Sequence, residues 1–248
     1  MAGVVVVTGS GRGIGAATAQ LAARRGWAVC VNYLGKADRA EAIVAGIRAS
    51  GGKAIAVQGD VSREADVRRL FERTDKELGT LSALVNNAGI ILKAGKLQDF
   101  DAATVRRVLD VNVTGAFLCA QEAAKRMSTA RGGKGGVIVN VSSVAAALGG
   151  ANQWLHYAAA KGAVNTLTLG LAKELAPEGI RVNAVMPGLV DTEIHAEVGM
   201  ADRLQKVLPQ VPMGRIGTPE ECAEAIVWLM SGEAAYMVGA ILPLTGGR

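Results

Sequence analysis

Tyr157 and Lys161 stand four residues apart in a segment that otherwise reads as helix, and Ser143 precedes the tyrosine by 14 residues. Side chains four apart on a helix are neighbours, with Cβ atoms roughly 5–6 Å apart, so a phenol and an ammonium share one face. An unperturbed tyrosine titrates near ~10. A positive charge within a few ångströms pulls that value down, toward the pH at which a proton donor works best. The pair is therefore suited to acid–base chemistry at a carbonyl. The same spacing also occurs on ordinary exposed helix faces, so the surrounding elements carry the argument.

Those elements alternate. Short apolar, β-branched runs occur at Val4 to Val7, Ala28 to Asn32, Ala54 to Val57, Ala83 to Val85, Val137 to Val141, Val182 to Val185 and Ala240 to Leu244, with longer helical patterns between them. Strands apolar on both faces and separated by helices predict a parallel sheet covered on both sides. The expected fold is a doubly wound, Rossmann-like α/β sheet of seven strands. No Pro/Gly/Ser-rich linker or fixed-period repeat divides the 248 residues, which predicts a single domain over 1–248. The stretch 187–219 carries Pro187, Pro209, Pro212 and Pro219 and lacks a strand pattern. Ligands in such folds sit beyond the carboxyl ends of the strands, so this stretch is expected to act as a lid.

Directly after the first strand comes Thr8-Gly9-Ser10-Gly11-Arg12-Gly13-Ile14-Gly15, followed by a helical pattern. Glycines there let the backbone turn and approach a pyrophosphate, while the helix start offers free N–H groups to the phosphates. Strand, glycine turn and helix in this order predict dinucleotide binding. NAD-preferring sites place an acid at the end of the second strand. This strand instead ends Val31-Asn32-Tyr33-Leu34-Gly35-Lys36. With Arg12 and Lys36 available for a 2′-phosphate, NADP(H) is the expected cofactor and NAD(H) the second choice.

Composition excludes other classes. No apolar stretch reaches the ~18–20 residues of a membrane span, and the start of the chain lacks the pattern of a secretory signal. The expectation is a cytoplasmic protein with no membrane partner. Cys30, Cys119 and Cys222 are far apart among apolar neighbours, as reduced core thiols would be, and no Cys/His cluster has metal-ligand spacing. The net charge of +5 is dispersed. Arg24-Arg25 and the Arg131 to Lys134 stretch lack interleaved aromatics, which argues for solvated surface and against a nucleic-acid partner.

Thr8 to Gly15, Asp60-Val61, Asn86-Asn87-Ala88-Gly89, Asn112, Ser143, Tyr157-x-x-x-Lys161 and Pro187-Gly188 follow one another in this order. In this the sequence resembles the short-chain dehydrogenase/reductase family from end to end, in its compact form. The resemblance implies a nicotinamide cofactor and a tetrad of Asn112, Ser143, Tyr157 and Lys161. Ser143 would hydrogen-bond the substrate oxygen, and Tyr157 would give or take its proton. Lys161 would lower the tyrosine's pKa and hold the nicotinamide ribose, and Asn112 would position a proton-relaying water. Asp60 and Val61 would meet the adenine, Asn87, Ala88 and Gly89 the adenosine ribose region. The run through Pro187, Gly188, Val190 and Thr192 would meet the nicotinamide amide. Ser142 competes with Ser143; the family usually places this serine about 13 residues before the tyrosine, which favours Ser143.

The resemblance also implies a homotetramer, to which the Leu167 to Leu175 region could contribute an apolar face. The substrate is a small carbonyl or alcohol. Trp154, Gln153 and His156 could line its pocket, although His156 points about 100° away from Tyr157 and suits a subunit neighbour or solvent better. His195, in the expected lid, has no assigned role. Similar proteins include 3-oxoacyl-carrier-protein reductases and glucose 1-dehydrogenases, whose tetrads are the same. Arg126, Arg131 and Lys134 could dock an acidic carrier, but Glu178 stands where such reductases often carry a base.

Overall fold

The structure is a computed structural model that describes residues 3–194, 200 and 202–248. Seven parallel strands form one sheet: β1 (Gly3–Val7), β2 (Trp27–Tyr33), β3 (Ala54–Gln58), β4 (Leu81–Asn86), β5 (Gly136–Val141), β6 (Ile180–Pro187) and β7 (Ile241–Leu244). Each coincides with one of the apolar runs, usually extended by a residue or two. The strand order is β3-β2-β1-β4-β5-β6-β7, so the winding reverses between β1 and β4.

The helices are α1 (Gly13–Arg24), α2 (Ala37–Ala49), α3 (Glu64–Leu78), α4 (Ala102–Leu109), α5 (Gly115–Met127), α6 (Ala145–Leu148), α7 (Leu155–Leu175), α8 (Arg203–Val207) and α9 (Pro219–Met230). Because side chains alternate along a strand, β1 feeds both cores. Val5 and Val7 pack with Leu21 of α1, Ile43 of α2 and Ile226 of α9. Val4 and Val6 face the opposite layer, with Phe71 of α3, Ala123 of α5 and Leu175 of α7. All three cysteines are buried, Cys30 and Cys119 within the second of these layers, and burial pushes each thiol up to about 12, which makes them inert.

The expected lid lies only partly within the described residues, and His195 lies outside them. In its described part, Leu189, Val207 and Val211 form a small apolar cluster of their own. Thr218 caps α9 in a capping box with Glu221, after Arg215 has paired with that carboxylate through two nitrogens at 2.5 and 2.9 Å. The segment is thus anchored firmly at its distal end.

Candidate active site

Where the winding reverses, the loops leaving β1 and β4 diverge and open a crevice at the carboxyl ends of the strands. A cavity of about 680 Å³ occupies it. Thr8 and Asn87 bind its two lips together. Thr8 Oγ1 accepts from the backbone N–H groups of Asn87 and Ala88, each at 3.0 Å, and Asn87 Nδ2 donates to the Thr8 and Gly9 carbonyls at 2.8 and 3.1 Å. Gly9 has φ +60, and a Cβ there would lie 2.8 Å from Ala88 Cα, so only glycine lets the lips approach this closely.

Of the residues expected at the cofactor, all line this cavity except Ser10 and Gly15. Ser10 is buried and its hydroxyl donates to the Val7 carbonyl at 2.7 Å, which tightens the turn from within. Gly15 lets α1 pack directly under the loop, since a Cβ would meet Ser10 Cα at 2.9 Å. Asn32 touches the cavity but spends its amide on structure: Oδ1 accepts from Gly9 N at 3.1 Å and Nδ2 donates to the Gly59 carbonyl at 3.1 Å.

At one end of the cavity the basic groups converge. Arg39, which sequence spacing did not single out, grips Glu193 through Nη1 with both carboxylate oxygens at 2.7 Å. Arg12 approaches the same carboxylate at 3.7 Å. Hydrogen bonding to Arg39, then the charges of Arg39, Arg12 and Lys36, hold the Glu193 carboxyl below its ordinary range. Asp60 is also engaged: its oxygens accept from Ser62 Oγ at 2.6 Å and from Arg107 at 2.8 Å. Burial pushes that carboxyl up, but the bonds from Ser62 and Arg107 outweigh it and the net shift is downward. Arg107, on α4 and 47 residues away, was not legible as a site residue.

The Ser–Tyr–Lys group forms where β5 ends and α7 begins. Both serines line the cavity; Ser142 is buried and its hydroxyl donates to the Lys161 carbonyl at 3.2 Å, whereas Ser143 Oγ accepts from Ala145 N at 3.1 Å. Of the two hydroxyls, that of Ser142 is spent on the backbone of α7. Tyr157 and Lys161 share a face of α7 as their spacing predicts, with Nζ 5.6 Å from the ring centroid. The expected depression of the tyrosine's pKa by the lysine is overturned. Burial pushes Tyr157 up to about 12, with Ser143 pulling weakly against it through a side-chain hydrogen bond. The lysine is directed elsewhere: Nζ donates to the Val141 carbonyl at 2.8 Å, and burial takes its own pKa down to about 8.

Asn112 sits in a widened turn, Asp110–Thr114, between α4 and α5. Its Nδ2 donates to the Ile90 and Val108 carbonyls, both at 2.8 Å, which leaves the buried Oδ1 without a hydrogen-bond partner among the described residues. A Cβ on Gly89 would lie 2.7 Å from that oxygen and 3.3 Å from Lys161 Nζ, so the glycine keeps a shared space open between them.

Positioning residues lie beneath. Asn86 Nδ2 donates to Asn140 Oδ1 at 3.0 Å, and Asn140 Nδ2 donates to Thr168 Oγ1 at 2.9 Å, tying β4 and β5 to α7. Trp154 packs in one apolar cluster with Tyr157 and Ile91. His156 departs from expectation: it is buried, its ring centroid 4.3 Å from that of Phe100, because α4's approach covers that side of the helix. No cluster of metal-ligating side chains occurs among the described residues.

A parallel sheet with a glycine loop at its switch point, and a serine, a tyrosine and a lysine beside that loop, defines a Rossmann-like dinucleotide-binding protein. A sequence-family model described as enoyl-(acyl carrier protein) reductase matches residues 9–248. The chain is 47% identical over 245 residues to the uncharacterized oxidoreductase YgfF of Escherichia coli (strain K12), covering 99% of each. It is 44% identical over 244 residues to cis-4-hydroxycyclohexanecarboxylate dehydrogenase of Sinomonas cyclohexanicum, covering 98% of this chain and 95% of the other. The crystal structure of a short-chain dehydrogenase from Burkholderia cenocepacia J2315 in complex with NADP superposes with a TM-score of 0.92 at 34% identity, covering 100% of this chain and 98% of that one. The chain belongs to the short-chain dehydrogenase/reductase family.

Proposed function

We propose that the chain is an NADP(H)-dependent oxidoreductase that interconverts a ketone and a secondary alcohol, with NAD(H) as the less favoured cofactor. The observation that carries this reading is the meeting of Ser143, Tyr157 and Lys161 on the wall of the glycine-loop cavity. A bound nicotinamide dinucleotide supplies or accepts the hydride. The residues fit such a group: Gly9, Gly11, Gly13 and Gly89 line the cavity and leave its backbone open to a pyrophosphate. Arg12, Lys36 and Arg39 already gather on a carboxylate, as they would on a 2′-phosphate.

Ser143 donates to the substrate oxygen and fixes it beside the phenol. Tyr157 gives its proton to that oxygen in reduction and takes it back in oxidation; a phenol with a pKa of about 12 holds its proton at neutral pH, which suits the donor role. Lys161 Nζ and Asn112 Oδ1 face the same space, where a shared water would return the proton to the tyrosine. The residues from Pro187 to 219 act as the lid. The protein works in the cytoplasm as a homotetramer without nucleic-acid or membrane partners; no helix among the described residues is long and apolar enough to cross a membrane.

The relative that acts on cis-4-hydroxycyclohexanecarboxylate supports a small alcohol or ketone as substrate. A carrier-bound substrate is less well supported, because Arg126 is committed to Glu122 and Asp75 at 2.5 and 2.6 Å, and its guanidinium lies over the Phe71 ring. The test is the change in reduced-nicotinamide absorbance with NADPH and NADH, against diketones, β-ketoacyl thioesters, sugars and cyclic oxo or hydroxy acids. NADPH-linked turnover is expected. Tight cofactor binding with no turnover of any class would point instead to a dinucleotide sensor.

A further inference from the structure

Arg203 opens the short helix α8 and is only 9% exposed. A buried guanidinium needs counter-charge and acceptors for its five N–H donors, or it is strongly disfavoured. This one has little of either. One nitrogen donates to Gln153 Oε1 at 2.8 Å, and the plane stacks over the Trp154 ring at 4.1 Å. Nε is buried without an acceptor. Among the described residues no carboxylate pairs with it, and the adjacent Asp202 is bonded to Lys206 at 2.5 Å. The charge that acts on Arg203 is that of Arg248, which is of like sign and, with burial, makes its protonated form harder to keep.

Both arginines line the same cavity as Ser143 and Tyr157. Trp154, on which Arg203 stacks, shares an apolar cluster with Tyr157 and Ile91, so the space between the guanidinium and the phenol is apolar. A ligand that completes the pocket has an anionic end for Arg203, an apolar body past Trp154 and an oxygen at Tyr157. The planar fork of a guanidinium matches the two oxygens of a carboxylate.

We propose that Arg203, assisted by Arg248, binds a carboxylate on the substrate, so that the enzyme acts on oxo acids and hydroxy acids whose reacting carbon is separated from the carboxylate by an apolar spacer. This rests on the oxidoreductase reading above and names its substrate class. Arg203 is a binding residue; it takes no part in proton transfer.

The test is calorimetric titration of the protein, with and without NADP+, using paired ligands: 4-hydroxycyclohexanecarboxylate, 3-hydroxybutyrate and 4-oxopentanoate, each against its methyl ester. At least one acid should bind the wild type tenfold or more tightly than its ester. Arg203→Met should reduce that acid to the level of the ester, Arg203→Lys should recover part of the difference, and NADPH affinity by fluorescence should be unchanged in both. The proposal is overturned if no acid outbinds its ester in the wild type, a comparison that needs no variant, or if Arg203→Met retains the preference. Failure of the oxidoreductase reading looks different: the wild type would turn over no ketone or alcohol with either cofactor, whereas the calorimetric preference for acids would still report on Arg203.

Discussion

Tyr157 illustrates how burial and charge compete at a single residue. Spacing alone argued for a phenol made acidic by its lysine, yet the ammonium is held by the Val141 carbonyl and the enclosed phenol rises to about 12. Its function as a proton donor can be isolated. Tyr157→Phe keeps the ring and its packing but removes the transferable proton, so kcat should fall by roughly 10²- to 10⁴-fold while NADPH affinity stays within about twofold; retained turnover would remove the tyrosine from the mechanism. Lys161 makes a prediction about stability. Its pKa is about 8 in the folded chain against an ordinary 10.5, so between those values the unfolded chain holds a proton that the native state lacks. The lysine's own contribution to stability must then rise with pH across that window, by about 3 kcal/mol, and the burden of the buried charge is fully present below pH 8, whereas Cys30, Cys119, Cys222 and Tyr157, each raised to about 12, contribute a fall in stability as pH climbs past their ordinary values. Wild type and Lys161→Met share the cysteine and tyrosine contributions, so the difference in their urea midpoints, wild type minus variant, should rise between pH 7 and 10.5. Parallel curves would mean that the lysine is not desolvated as its surroundings require.

At the scale of elements, the contact between the lid and α2 makes the next prediction. Glu193, in the expected lid, occupies the arginines that would receive a 2′-phosphate. Two anions cannot share that position, so NADPH must displace the carboxylate. Glu193→Gln should tighten NADPH severalfold without changing NADH. Arg39→Ala should weaken NADPH by about tenfold or more, since a hydrogen bond to a charged group contributes about 1.5–3 kcal/mol. Fluorescence titration with both cofactors separates these effects, and equal changes for NADPH and NADH would place the 2′-phosphate elsewhere. The elements themselves were legible because β-branched runs bounded by glycines and helical patterns leave little choice of period: every expected strand formed, and the glycine loop fell at the switch point. What was hidden depends on tertiary approach. Arg39 and Arg107 reach the cavity from helices whose patterns look like ordinary solvated faces, and Arg203 lies where no periodicity marks a site. Asn32 stood at the cofactor by position, yet its amide is used to brace the loop, a role visible only once β3 lies beside it. Asn112 was found by resemblance, while the widened turn that aims its free oxygen was not readable from composition.

For the whole molecule, the sheet has a consequence at its end. β7 is last in the strand order, so its outer edge has no strand partner, and it is built of Ile241, Leu242, Pro243 and Leu244. Leu169 of α7, Tyr236 and Val238 are all exposed, and a Cβ on Gly239, two residues before β7, would lie 3.9 Å from Leu169, which sets that apolar side chain close to the edge. An apolar face next to an open edge invites association. Proline at Pro243 removes one donor from the edge and discourages endless strand addition, so a closed pairing of copies is favoured over a fibre. A two-fold contact through this face, repeated with a second such contact elsewhere, gives the homotetramer proposed above. Light scattering of the purified protein should report about four times the 25.5 kDa chain mass. Leu169→Glu and Tyr236→Glu, each adding a charge to an already exposed position, should yield smaller species that bind NADPH as before, because neither residue lines the cavity. A wild type that runs as a monomer at micromolar concentration would show that β7 and its neighbours tolerate solvent, and the tetramer would fall with it.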